Sequence, residues 1–386
     1  MIEDAAPLAP GFYRGTVQRI RAAAEALSVD GFLLLESANL TYATGFFHHA
    51  NERPMGVYIP VAGEPILLLP QLEQENAASC WIADLRTYPE FPGELHPVLW
   101  MLRETGARRL AVDSLEARLF QAAGDVVERL VLSDRVERLR FVKSDVELAL
   151  VRLAARYADA CLDHMRRQIG EIVAAGGSEL DIQAAGLGHA RALMSRELGS
   201  AFAGTKLAVV GSVHSGPRAA LPHGQTLPRR PQKGEPIIAG IGATVGGYHA
   251  ESGATFVLGE PSADVLRCLR AADACNAAGV RALRPGRLCQ DVNRAALAEL
   301  EAAGLAAFIR HRLGHGMGVE GHEAPWLAQG DRTVLQPGMV FSNEPGIYRP
   351  SIDGYRTIDT MIVTEQAAEL PSRFQQDFGI EQRILG

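Results

Sequence analysis

Three side chains able to bind a divalent cation, Glu251, His315 and Glu344, lie in glycine-rich, strand-like stretches of a 386-residue chain. They supply one nitrogen and two carboxylate donors, an acceptable catalytic set when water takes an open position. Without a cation, two carboxylates sharing a cavity repel each other. That repulsion raises at least one pKa or recruits a guanidinium, amidinium or ammonium group. His223, set between Pro222 and Gly224, carries an imidazole, the group suited to taking a proton from water and returning it to a leaving nitrogen. His322 follows His315 across a glycine-rich segment. Arg356 has the planar fork that grips a substrate carboxylate in two places, or pairs with a buried carboxylate such as Asp359.

The elements that must position these groups fall into two regions. The first ~140 residues alternate helical and strand patterns: a helix over 15–27, then strands over 32–35, 55–59, 65–69 and 110–112. Gly63 marks the turn between two of them. Ser144-Asp-Val-Glu147 is a capping box opening a long amphipathic helix through Val146, Leu150, Leu153, Tyr157, Cys161 and Met165. Further helices are expected from Ser178, over 262–283 and over 291–303. Strands are expected at 207–210, 236–241, 254–258, 339–342 and 361–363. The expected architecture is α/β (α+β), with domains at 1–140 and 141–386.

With 47% hydrophobic and 22% charged residues the composition is that of a globular protein, and a net charge of −7 argues against a nucleic-acid footprint. No transmembrane run or basic secretory leader is read, so a cytoplasmic protein that meets neither nucleic acid nor membrane is expected. The five scattered cysteines, without CxxC spacing, read as reduced core thiols.

Ser215-Gly-Pro, Leu221-Pro-His223-Gly, Lys233-Gly-Glu, Thr255-Phe, Gly314-His315-Gly-Met-Gly, His322-Glu-Ala-Pro, Gln336-Pro-Gly-Met and Asn343-Glu344-Pro-Gly-Ile-Tyr occur in that order. This series resembles the pita-bread hydrolases: methionine aminopeptidases, prolidases, aminopeptidase P and creatinase. Asn39-Leu-Thr-Tyr-Ala-Thr-Gly45 and Arg140-Phe-Val-Lys-Ser144 are similar to the N-terminal domain and linker of the prolidase and creatinase branch. The resemblance implies a small creatinase-like α/β domain followed by a pita-bread domain. It also implies five metal-ligand slots, occupied here by Gly240, Glu251, His315, Glu344 and Ile358. Glycine and isoleucine have no side-chain donor atoms, so a two-metal site is not expected.

The leading expectation is therefore a metal-independent, creatinase-like hydrolase of a C–N bond in a small amide or amidine. His223, Glu251 and Glu344 would be catalytic, with His315, His322 and Arg356 binding substrate and no cofactor. The alternative is an Xaa-Pro dipeptidase with one manganese, zinc or iron ion on Glu251, His315 and Glu344. A third possibility is a non-catalytic binding protein of the same fold. A homodimer is expected, with His48 and Arg53 either reaching a partner's cleft or lying on a solvated surface loop. Asp359 is expected to face away from the cleft, because a one-residue step along a strand reverses side-chain direction.

Overall fold

The computed structural model describes residues 5–386, and the chain divides into two compact units, Leu8–Arg140 and Phe141–Gly386, with residues 5–7 grouped with the latter. In the first unit a helix, α1 (Pro10–Ala26), precedes six strands: β1 (Gly31–Leu34), β2 (Gly56–Pro60), β3 (Ile66–Pro70), β4 (Asp84–Tyr88), β5 (Arg109–Val112) and β6 (Arg129–Leu132). They form one mixed sheet in the order β4-β3-β2-β1-β5-β6. The α1 helix starts five residues earlier than its periodicity suggests, because Pro10 supplies a preset φ at the first turn. Gly63 takes a positive φ of 101° in the β2–β3 turn, where a side chain would be strained.

The second unit opens with α2 (Asp145–Ala174) and α3 (Glu179–Leu198). Both carry complete capping boxes, Ser144 with Glu147 and Ser178 with Asp181. Each such cap contributes about 1 kcal/mol. Of the expected apolar stripe, Leu150, Leu153, Tyr157, Cys161 and Met165 are buried, but Val146 is 54% exposed. Val146 sits in the first turn, before the helix passes over the sheet.

That sheet pairs β7 (Ala208–Ser215), β8 (Pro236–Val245) and β9 (Tyr248–Leu258) antiparallel, with β17 (Ile384–Leu385) on the outer edge of β9. A second sheet has the order β11-β10-β12-β15-β16, made of β10 (Gly314–Gly316), β11 (Glu323–Leu327), β12 (Val340–Asn343), β15 (Asp359–Val363) and β16 (Ala368–Glu369). A hairpin of β13 (Gly346–Arg349) and β14 (Asp353–Arg356) joins β12 to β15. The two sheets meet where Gly253 and Ile358 exchange backbone hydrogen bonds of 3.1 and 2.8 Å. Helices α4 (Ala263–Ala282) and α5 (Cys289–Ala302) cover the second sheet, burying Cys268, Leu269, Cys275 and Leu300 against Phe341 and Met361. All five cysteines are free, and four of them are buried. No helix among the described residues is long and apolar enough to cross a membrane.

Candidate functional site

Cross-strand partners share a face of a sheet, so the pairings Gly240 with Gly253 and Gly242 with Glu251 set three glycines around a single carboxylate. The bare patch is filled from the second sheet. The Ile358 Cδ1 lies 3.4 Å from where a Cβ on Gly240 would be and 2.6 Å from one on Gly253. The two slots without donors therefore pack against each other. Hydrocarbon occupies the space that a second cation and its carboxylates would need.

Glu251 is fixed at both ends. Its backbone N–H donates to Thr360 Oγ1 and its carbonyl accepts from the same hydroxyl, each at 2.8 Å. Its Oε2 accepts from Ser342 Oγ at 2.8 Å. Ser342 lies opposite His315 across the β10–β12 pair, which brings the imidazole to the same point. His315 Nε2 is buried without a well-aligned partner, 3.4 Å from Glu344 Oε1 and 3.8 Å from Glu251 Oε2. The His322 ring stacks on His315 with centroids 3.7 Å apart and planes 20° from parallel. Its Nε2 is 3.9 Å from Glu251 Oε1. The donor atoms of Glu251, His315 and His322 all lie within 4.8 Å of one another.

Glu344 falls outside that trio. Its Oε2 is drawn to Arg356 Nη1 at 3.5 Å, and Arg356 Nη2 donates to the Pro222 carbonyl at 3.1 Å. Arg356 thus holds Glu344 and the His223 turn together, rather than pairing with Asp359 or standing open to a substrate carboxylate. Electrostatics separate the two carboxylates. Burial and the Glu344 charge outweigh the pull of His315 and push Glu251 above the usual range. Burial opposes ionisation of Glu344 too, but the adjacent His315 imidazole and the Arg356 charge hold it well below that range. His315 is raised despite burial, through Glu344 and Glu251, whereas burial and the neighbouring His315 lower His322.

His223 lies on an exposed turn whose carbonyls are gripped on either side, at Pro222 by Arg356 and at Gly224 by His214. His311 and Tyr348 join the cluster without having been singled out from sequence. His311 Nε2 meets Tyr348 Oη at 2.8 Å, and burial pushes the phenol up to about 12. The signal for His311 was present, since it shares the segment His311-Arg-Leu-Gly-His315. Ser342 and Thr360 gave none, being ordinary strand residues until the register is known. Tyr248 and Tyr355 are buried and bonded to Glu147 and Asp353 as core aromatics. In the first unit Arg53 pairs with Glu90 at 2.8 Å, and His48 Nε2 meets Ser37 Oγ at 3.1 Å.

Asp359 points to the opposite face, among Asp159, Asp273, Asn276 and Arg383. Burial and the charges of Asp159 and Asp273 push it up to about 8 from 3.8. The folded state thus holds a proton that the unfolded chain releases above pH ~4, so stability declines as pH rises from about 4 to about 8. Asp359→Asn is expected to stabilise the protein by several kcal/mol at pH 8 and much less at pH 5. Thermal denaturation at the two pH values reads this, and an equal shift at both would contradict it.

Residues 149–365 match Metallopeptidase family M24, and residues 17–142 match the Creatinase/Prolidase N-terminal domain. A probable dipeptidase PepE from Mycobacterium bovis is 32% identical over 354 residues, covering 90% of this chain and 91% of that protein. An Xaa-Pro dipeptidase from Pyrococcus furiosus is 28% identical, covering 91% and 95%. The crystal structure of dipeptidase PepE from Mycobacterium ulcerans superposes with a TM-score of 0.81 at 29% identity, covering 95% of this chain and 96% of that one. These relatives give no support to the metal-independent, creatinase-type reading. They back the peptidase alternative, and so does the convergence of donors on His315 Nε2. The match over more than half the chain and the 32% identity together place it in metallopeptidase family M24, as a C–N bond hydrolase of the peptidase family.

Proposed function

We propose that the chain hydrolyses dipeptides, Xaa-Pro dipeptides foremost, with a single divalent ion held at Glu251 and His315. The observation that carries this reading is the convergence of the buried His315 Nε2, which has no well-aligned hydrogen-bond partner, on Glu344 and Glu251 at 3.4 and 3.8 Å, beside a second-ion position closed by Ile358. Nitrogen and carboxylate donors this close in a buried pocket are the arrangement that a divalent ion bridges. The names of the relatives supply the substrate class.

When bound, such an ion supplies Lewis acidity to a scissile carbonyl. The chain's own groups do the rest. Glu344, kept anionic by His315 and Arg356, is available as a hydrogen-bond acceptor that orients an attacking water. His223, on the exposed turn that Arg356 ties to Glu344, is the group assigned to give a proton to the departing nitrogen. Arg356 positions both by bonding Glu344 and the Pro222 carbonyl at once. Gly253 cannot admit a side chain while Ile358 and the Ala239 carbonyl lie over it, and Ile358 also rests against Gly240, so this part of the floor is apolar.

The test is a panel of dipeptides offered to the zinc-, cobalt- and manganese-loaded protein, with creatine and simple amidines beside them. Hydrolysis of Xaa-Pro dipeptides in preference to the amidines is expected. Turnover of amidines alone would overturn the proposal.

A further inference from the structure

Resting on that one-ion reading, we infer that His322 is a metal ligand in this chain, completing a two-histidine, one-carboxylate site with His315 and Glu251. The resemblance gives His322 to the substrate; the geometry gives it to the ion. Donors bound to one ion at about 2.0–2.2 Å stand no more than about 4.4 Å apart. The separations of 3.8 Å from His315 Nε2 to Glu251 Oε2 and 3.9 Å from His322 Nε2 to Glu251 Oε1 both meet that limit. Each oxygen of Glu251 faces a different imidazole, and the Ser342 hydroxyl pins the carboxylate in that orientation at 2.8 Å. The trio lies within 4.8 Å overall, and His322, with 54% of its side chain exposed, has room to turn out of its stack on His315 so that both ring nitrogens point at one ion.

Three features of this sequence move the ion toward His322. The Ile358 side chain closes the floor on the Gly240 side, so an ion cannot settle between the usual carboxylates. Arg356 pulls one oxygen of Glu344 aside, which weakens it as a ligand. Glu251 is one carbon longer than aspartate and so reaches past His315 to the stacked ring of His322. The result is a change in ligand softness. Where the resemblance implies one nitrogen and four carboxylates, the proposed set is two nitrogens and one carboxylate, with His322 coming from outside the five slots. Imidazole-rich sites prefer zinc, cobalt, nickel or copper, whereas all-oxygen sites suit manganese. The site is therefore expected to discriminate against manganese.

The metal-free protein would be titrated with zinc and with manganese by calorimetry. The copper(II) form would then be examined by pulsed electron paramagnetic resonance, which counts coordinated imidazoles. One equivalent, two imidazoles and zinc bound more tightly than manganese are expected. His322→Ala should leave one imidazole and weaken zinc by about 10- to 100-fold or more, since even outer partners of ligands carry that much. Glu344→Gln should keep both imidazoles and one equivalent. A single imidazole in the wild type overturns the assignment. So does loss of the ion in Glu344→Gln with retention in His322→Ala, and so does failure to bind any ion. A dipeptide assay on the same samples separates this inference from the proposed function. Dipeptide hydrolysis with one imidazole overturns the ligand assignment and leaves the dipeptidase reading. Two imidazoles in a protein inert toward dipeptides support the assignment and overturn that reading.

Discussion

Replacing Lys143 with alanine is expected to destabilise the second unit by about 3–5 kcal/mol, the cost of removing one member of a buried ion pair. Lys143 Nζ lies 2.9 Å from Glu323 Oε1, and both side chains are 1% exposed. Neither charge can be resolvated when its opposite is removed, so Glu323 would lose its buried counter-charge in a medium that solvates it poorly. Packing leaves no slack, because a Cβ on Gly318 would already lie 2.5 Å from Glu323 Oε1 and 2.8 Å from Lys143 Cε. The pair also holds the loop that ends at His322, the residue directly before Glu323. Zinc affinity should therefore fall along with stability. Urea denaturation checks the first effect, and the double replacement Lys143→Met with Glu323→Gln should recover most of the loss, since neither charge is then left buried. A Lys143→Ala variant as stable as the wild type would contradict the argument.

The second large effect is catalytic. His223→Ala is expected to lower kcat by about 100-fold or more, the range of a lost proton-transfer group. The turn carrying His223 is bonded from both sides, by Arg356 at Pro222 and by His214 at Gly224. Removing an exposed side chain there should therefore leave the fold and the bound ion intact. KM and zinc affinity should stay near their wild-type values while kcat falls, which a structural lesion would not produce. Near-normal turnover would remove His223 from the mechanism.

Much of the site was readable because its residues are strongly typed. His223, Glu251, His315, His322, Glu344 and Arg356 are charged or titratable groups set in apolar or glycine-rich sequence, and the structure brings five of them around one point. The absence of donors at Gly240 and Ile358 was equally plain from residue type. What sequence could not give was register. That Ile358 fills the hollow over Gly240, that Ser342 holds Glu251, and that Arg356 turns to Glu344 rather than Asp359 all follow from which strand faces which. The same limit explains why Glu251, His315 and Glu344 suggested themselves as the one-metal set, while the converging donors include His322.

The strands were shortened for a related reason. β8 and β9 run to Val245 and from Tyr248, beyond the expected 236–241 and 254–258, because glycine and alanine weaken the apolar signal without breaking the pairing. Short strands such as β10 and the β13–β14 hairpin carry too few residues for a period to show. The capped helices fared better. Ser144 with Glu147, Ser178 with Asp181, and Ser262, which caps Val265, write their own start signals into the sequence.

The most direct measurement titrates metal-free protein with zinc while following Xaa-Pro dipeptide hydrolysis. Activity should rise linearly to a plateau at one equivalent, vanish with chelator and return on re-addition. Hydrolysis that is unchanged by the chelator, or a plateau reached only at two equivalents, would contradict a single-ion dipeptidase.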